Sequence, residues 1–490
     1  MKILNRGLLM LGLLFTTFLL GVTVALMPVG VSARVAIIMI AILFLVTAWG
    51  FRQTTAMFPE RKLIIFSAFV LTMSIVWPQY IFFSAGGLPR VNPFTLSTAM
   101  GLIFILALTA HYRSFSSRMP LLIAEIKPVA IFFGLWIVWR AISNLLSGAP
   151  VATNTGLLRE LIYVYSLFAY GLFVCQGKNG IQLLGRIIVA CTVIVGLAGI
   201  VEALQGKNMF IGFAASGETG DVGDAIATII ADKVRGGAYR VQSVFSHPIL
   251  FGQFLGAAAP IVLVSFLLDR SRAWRLVALI ALPLIMIGIL KSGSRSGVMA
   301  LVVSGAVLGM MLWVYLLTNS KKYSSFAIVA VPVVLIVILA AYGIGEHLIA
   351  GGSRTESGSS MVRAVQLQLA LNAIPNSPFF GYGLGAAVQI AGVKTYLNAL
   401  TMDIYYLSVL LDSGWVGLAL FFAMVLSLIV TSLRYVSSHS GRNMYYVSAY
   451  MAAAISVLVT LGAVSMPQNI MFVMLAAGVL AVAKHESRAQ

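Results

Sequence analysis

Nine basic residues carry the first chemical signal in this 490-residue chain: Lys207, Lys233, Arg235, Arg240, Lys291, Arg295, Arg354, Arg363 and Lys394. They lie in two long polar interruptions, about 205–246 and 346–401, and in the short turn 291–296 between them. Arginine binds phosphate oxygens in pairs and stays charged at any physiological pH. Brought together, these residues would form an anion site at a water-facing boundary. Held apart, they are ordinary solvated loop charge.

Two groups near them could move a proton. Arg240-Val-Gln-Ser-Val-Phe-Ser-His-Pro-Ile-Leu-Phe-Gly252 runs into an apolar stretch. Ser246 is the expected N-cap there, and Pro248 suits the first helical turn. His247 would then lie at the positive end of a helix dipole, which favours a neutral imidazole able to accept a proton or a hydrogen bond. Asp403, in Met402-Asp-Ile-Tyr-Tyr-Leu407, opens another apolar run. It reads either as a carboxylate stabilised by a helix N-terminus or as a general base. Ser292-Gly-Ser-Arg-Ser296 reads as a turn whose N–H groups, with Arg295, either cradle an oxyanion or simply cap the next helix. Gly381-Tyr-Gly-Leu-Gly385, after Asn376-Ser-Pro378, is a turn and a poor phosphate loop, because no strand precedes it.

The elements that must position these groups are spans of a bilayer. Hydrophobic residues make up 60% of the chain, charged residues 9%, and the mean hydropathy is +1.00, which excludes a soluble globular domain. Fourteen runs have roughly the length a spanning helix needs: about 7–27, 35–50, 63–83, 92–110, 128–147, 156–175, 183–203, 247–268, 274–290, 297–318, 325–345, 403–432, 443–464 and 468–483. Two of these runs are short, so twelve to fourteen spans are expected. The fold class is therefore an all-α polytopic membrane protein with two long outer loops that hold short amphipathic helices, expected at 224–234 and 361–373. The run at 1–27 reads as a retained first span rather than a cleaved leader. Cys175 and Cys191 both sit in or beside apolar runs and suggest neither a disulfide framework nor a metal site.

The formal charge of +18 would suggest nucleic acid in a soluble protein. Here it follows from the enrichment of Lys and Arg in cytoplasmic loops. With the N-terminus inside, the short inner connections hold most of the basic residues, among them Arg61, Arg113, Lys178, Arg270 and Arg442. Both termini are then cytoplasmic, and both long interruptions face the other side. Ionisable residues within spans default to functional roles. Arg140, Arg159, Glu160 and Glu202 qualify. Arg159 and Glu160 either bind a ligand or snorkel to the boundary, Arg140 lies deeper and calls for a partner or ligand, and Glu202 is either a functional carboxylate or a solvated span end.

Four segments in order carry a resemblance. Phe245-Ser-His-Pro-Ile-Leu-Phe-Gly252, Ser292-Gly-Ser-Arg-Ser-Gly297, Asn376-Ser-Pro-Phe-Phe-Gly-Tyr-Gly-Leu-Gly385 and Asp403-Ile-Tyr-Tyr-Leu407 with Asp412-Ser-Gly-Trp-Val-Gly-Leu418 resemble the O-antigen ligase and Wzy-type polysaccharide polymerase superfamily, over roughly 157–432. The resemblance implies a core at 128–432 with outer loops at about 205–246 and 346–401, preceded by spans of unclear role at 1–127 and followed by spans at 433–490. It implies a glycosyltransferase at the outer face of a bacterial inner membrane, using glycans on undecaprenyl diphosphate without a nucleotide sugar or other cofactor. Carried over by position, Arg240, Arg295 and Arg363 would hold the diphosphate, with Arg235, Arg354 and Arg159 assisting. Asp403, His247 and Glu202 are the catalytic candidates. Ligases of the family have a His near the end of the second long loop, where this chain reads Thr401-Met-Asp403. Its Asp-x-Tyr-Tyr-Leu pattern looks more like exopolysaccharide polymerases. The expected partners are membrane lipids, the lipid-linked oligosaccharide, and flippase and chain-length regulator proteins. Transfer of the glycan to another acceptor and flipping of a lipid-linked glycan are the alternative activities.

Overall fold

The computed structural model describes residues 57–78, 80–81, 92–210, 233–235, 238–319, 354–394 and 400–489. The spans expected at 7–27, 35–50 and 325–345 and most of the amphipathic stretch expected at 224–234 lie outside these residues. The described helices are α1 (Glu60–Val76), α2 (Pro93–His111), α3 (Arg113–Glu125), α4 (Lys127–Leu145), α5 (Pro150–Glu160), α6 (Leu167–Gln176), α7 (Gly180–Gln205), α8 (Pro248–Leu268), α9 (Arg272–Ser292), α10 (Arg295–Asn319), α11 (Arg354–Ala373), α12 (Ala386–Ala391), α13 (Tyr405–Ser438), α14 (Arg442–Leu461) and α15 (Met471–Ala489). A π-helical turn, Leu161–Tyr165, joins α5 to α6. Two 3-10 turns, Ile374–Asn376 and Pro467–Ile470, and two short antiparallel ribbons complete the described elements: β1 (Val234–Arg235) with β2 (Ala238–Tyr239), and β3 (Val393–Lys394) with β4 (Leu400–Thr401).

Ten of the described helical stretches are long and apolar enough to cross a membrane, so the chain is an all-α polytopic membrane protein. α3 is an element the apolar pattern did not announce. Its 13 residues are too short to span. It packs beside α15, where Arg488 and the Lys484 ammonium bind the Glu125 side chain and carbonyl.

Lipid tails are as apolar as leucine, so spans associate through close packing and internal hydrogen bonds. α8, α14 and α15 are the most buried of the described spans, and the packing is tightest where α8 crosses α10. A Cβ on Gly256 would stand 2.6 Å from the Gly297 carbonyl oxygen, and one on Gly297 would stand 2.9 Å from the Gly252 backbone. Three glycines thus let two backbones touch, and the contact sets the start of α10 against the first turns of α8.

Polar groups divide the bundle into two ends. At one end Arg186 clasps Asp269 through two hydrogen bonds of 2.8 Å, Arg270 donates to the Asn179 amide oxygen, and Asn443 donates to Glu486. The opposite end holds the first residues of α8, α10 and α13 and the last residues of α7, α9 and α14. There a cap, the described residues of 361–394 and 400–403, packs Ala370, Ile374, Ala387, Ala391 and Met402 against Leu410 and Leu411 of α13 in a small core.

The cap is fastened where α13 breaks. Gly414 adopts φ +68, a conformation closed to most side chains, and the Phe379 carbonyl fills the space a Cβ would need. The freed backbone groups pair with segment 376–385. The Trp415 N–H donates to Pro378, and the N–H groups of Tyr382 and Gly383 donate to Leu411 and Asp412. The Asp412 carboxylate accepts from Gly385 and Ala387 at 3.0 and 2.9 Å, capping α12. From α4, the Ser143 hydroxyl donates to the Asp412 and Phe380 carbonyls, Asn144 accepts from the Leu384 N–H, and Trp139 donates to the Ser413 carbonyl. The glycine-rich motif is thus a fastening and not a phosphate loop.

Candidate active site

The first cluster is built on Glu202, in the last turns of α7. Its side chain is fully buried. It accepts from the Tyr239 hydroxyl at 2.7 Å, the Gln242 N–H at 3.0 Å and the Ser243 N–H at 2.6 Å. A solvated span end is therefore excluded. Both carboxylate oxygens hold β2 and the segment that follows it, so Glu202 anchors this loop.

That anchor places Arg240. Its Nε donates to the Ser292 carbonyl at 2.9 Å, and the next residue, Val241, donates its N–H to the Lys291 carbonyl. The arginine stem lies against Gly293, which ends α9 in the left-handed region at φ +55. A glycine serves there because the turn must reverse at once into α10, which begins with Arg295. Ser294, just before Arg295, is buried and its hydroxyl makes no hydrogen bond.

His247 faces the same cations. It is the N-cap of α8, where Ser246 was expected, and its Nδ1 accepts from the Ile249 N–H at 3.1 Å. Burial, with Arg240 and Lys233 nearby, pushes its pKa down to about 3. The ring is thus neutral, its acceptor nitrogen is filled, and its proton sits on Nε2. The neutral, hydrogen-bond-accepting imidazole expected from the sequence is thus the one that caps α8, and its Nε2–H is left to donate. Lys233 joins the cluster, its own pKa lowered by burial and by Arg240.

The second cluster belongs to the cap. Gln366 of α11 accepts from the Asp403 N–H and donates to the Thr401 carbonyl, each at 2.9 Å. Arg363, one turn earlier, is the cation nearest in effect to the Asp403 carboxylate. Burial raises the pKa of Asp403 while Arg363 opposes the rise. A carboxylate tuned upward in this way suits a general base.

A hydrogen bond sets Arg240 on the Ser292–Arg295 turn, His247 feels the charge of Arg240, and Asp403 feels the charge of Arg363. Arg235 lies on β1 and Arg354 opens α11, but their side chains are outside the described residues. Arg159 is exposed on α5 beside Tyr163 and joins neither cluster.

Within the membrane, Arg140 has found its partner. It binds Glu160 at 2.7 Å, lies 4.9 Å from the Trp136 ring, and shares Glu160 with the Tyr165 hydroxyl. The π-helical turn after Glu160 presents Tyr165 to this pair. Tyr165 is a residue that charge reading passed over, and its spacing from Glu160 is not a helical one-face spacing in an ordinary α-helix. Among the described residues no group of His, Cys, Asp and Glu could hold a metal ion.

No curated protein matches the chain. Residues 276–422 match the family model described as O-antigen ligase, a stretch that holds Arg295, Arg363, Asp403 and the Gly414 break and stops short of Arg240 and His247. That match supports a place for this chain in the O-antigen ligase and Wzy superfamily.

Proposed function

We propose that this protein is a polysaccharide polymerase that transfers a growing glycan from undecaprenyl diphosphate to a lipid-linked repeat unit. The reaction would take place at the outer face of a bacterial inner membrane, with both chain termini in the cytoplasm. The observation that carries this reading is the cluster of Arg240, His247 and the Ser292–Arg295 turn at one end of the spans.

In this reading the hydroxyl oxygen of the acceptor sugar attacks the anomeric carbon of the donor, and the bond from that carbon to the diphosphate oxygen breaks. Negative charge grows on the departing diphosphate. Arg240, Arg295 and Arg363 neutralise it, and the Nε2–H of His247 donates to one of its oxygens. Asp403 takes the proton of the attacking hydroxyl. Arg235, Arg354 and Arg159 are secondary candidates for the donor's charge. Glu202 serves by holding Arg240 in place.

Ligation of the glycan to a different acceptor is the second reading, favoured by the description of the matching family. The size distribution of lipid-linked glycan in cells lacking the protein separates the two. Single repeats should accumulate and long chains vanish, with rescue by wild type and not by Arg295→Ala. Long chains left on the carrier would overturn polymerisation and indicate ligation. Repeats trapped facing the cytoplasm would indicate flipping.

A further inference from the structure

The end of the bundle opposite the candidate site holds two adjoining hollows of about 450 and 640 Å³. Both are lined by Arg270, Arg442, Asn443 and Glu486, and Lys178 adds to the first. The three cations come from three separate places: the turn before α7, the turn between α8 and α9, and the start of α14. One carboxylate, Glu486, faces them, and Asn443 holds it at 2.8 Å. Arg270 is oriented by its bond to Asn179.

Two helices point their positive ends at this space. α7, 26 residues long, begins at Asn179 and Gly180, and α14, 20 residues long, begins at Gly441 and Arg442. Neither has a side-chain cap. The amides of Ile181, Gln182 and Asn443 belong to residues lining the hollows. Two side chains more than nine-tenths buried line the first hollow as well. Gln182 Nε2 and the Tyr446 hydroxyl close no hydrogen bond of ordinary geometry there, with Asp269 and Ser265 as weak neighbours. A concave space with excess positive charge and two helix N-termini is suited to a phosphate group.

We infer that this hollow binds the headgroup of an anionic glycerophospholipid from the leaflet opposite the candidate active site. The hollow lies where spans end, at the level of lipid headgroups. Basic pockets between spans on the cytoplasmic side hold such headgroups, and each Lys or Arg there strengthens the attraction. The side of the membrane rests on the orientation proposed above, but lipid binding can be measured without it, and failure of one leaves the other standing.

The test is native mass spectrometry of the purified full-length protein in detergent, titrated with phosphatidylglycerol or with phosphatidylcholine of the same chain length. The expected result is retention of phosphatidylglycerol at roughly tenfold lower concentration than phosphatidylcholine. Arg270→Gln with Arg442→Gln should erase the preference. Arg113→Gln, an exposed cation at the same end that does not line the hollow, should leave it unchanged. Lys178→Gln alone should give a partial loss, which keeps the test decisive if the double variant does not fold. Equal retention of the two lipids would overturn the inference, as would undiminished preference in both the double variant and Lys178→Gln. Displacement of the lipid by millimolar inorganic phosphate would show a free-phosphate site and overturn it too.

Discussion

Replacing Glu202 with Gln tests whether this carboxylate holds a loop or acts on substrate. In the folded chain it takes three hydrogen bonds in complete burial, two of them from backbone N–H groups. A glutamine keeps one acceptor oxygen, which can still serve Tyr239 and Gln242. Its NH2 group then meets the Ser243 N–H, donor against donor. One charge-assisted bond is lost and a buried donor is left without a partner, a combined loss of about 2–4 kcal/mol. At 1.4 kcal/mol per factor of ten, the open state of the 238–246 segment should become roughly 30- to 700-fold more populated. Hydrogen exchange at the Gln242 and Ser243 amides in detergent should quicken accordingly. Chain elongation in reconstituted vesicles should fall with it, because Arg240 is released along with the loop. If elongation fails while those two amides exchange at the wild-type rate, the carboxylate acts on the substrate and the anchor argument is wrong.

Other perturbations follow from the same geometry. His247 sits at about 3 when folded and near 6.5 when unfolded, so below about pH 6.5 the unfolded chain binds a proton that the folded chain refuses. Stability should therefore fall as the pH drops from about 6.5 towards 3, and melting curves of His247→Gln should lose that slope; an unchanged slope would refute the assignment. Arg363 opposes the rise in the Asp403 pKa, so Arg363→Gln should lift that pKa further. The acid limb of the elongation rate should shift to higher pH, and a limb that stays in place would remove Asp403 as the base. Arg140→Gln leaves Glu160 without its cation inside the membrane. With a third of the Glu160 side chain exposed, the expected loss is about 2–3 kcal/mol, below that of a fully buried pair. Denaturant titration should show it, with Arg140→Met plus Glu160→Met recovering most of the loss.

The apolar pattern located the spans because hydropathy and length are local properties. Eleven of the fourteen expected runs fall on described residues, and each corresponds to a helix or a helical stretch, although α1 ends at Val76 and α15 begins at Met471. The pattern was silent on α3, whose residues are mixed in polarity, and on the break at Gly414, which lies inside a long run that is apolar apart from Asp412 and a few serines. The site was legible in part. Arg240, His247 and Arg295 stand out by type and position. Their grouping depends on the approach of α8 to α10, which Gly252-x-x-x-Gly256 carries as a small-residue spacing. Glu202 could not be assigned from type alone, because an anchor and a catalytic carboxylate differ only in what their oxygens touch. Tyr165 escaped because its meeting with Arg140 and Glu160 depends on a π-helical turn that no local residue pattern marks.

The fastening at 376–385 gives the cap a mechanical character. Residues 376–385 are a pivot clasped by α4 and by the break in α13, while α11 extends from it like a boom. Arg363 lies 11 positions before Ile374, about 16 Å along that boom. A tilt of about 10° about the pivot would swing the guanidinium's attachment point by roughly 3 Å, the length of one hydrogen bond. Asp403, bound to Gln366 on the same boom, would travel with it, while Arg240 and His247 stay with the bundle. The distance between the two groups of charge is thus a property of one angle, and a substitution at the pivot can retune it without touching a residue of either group.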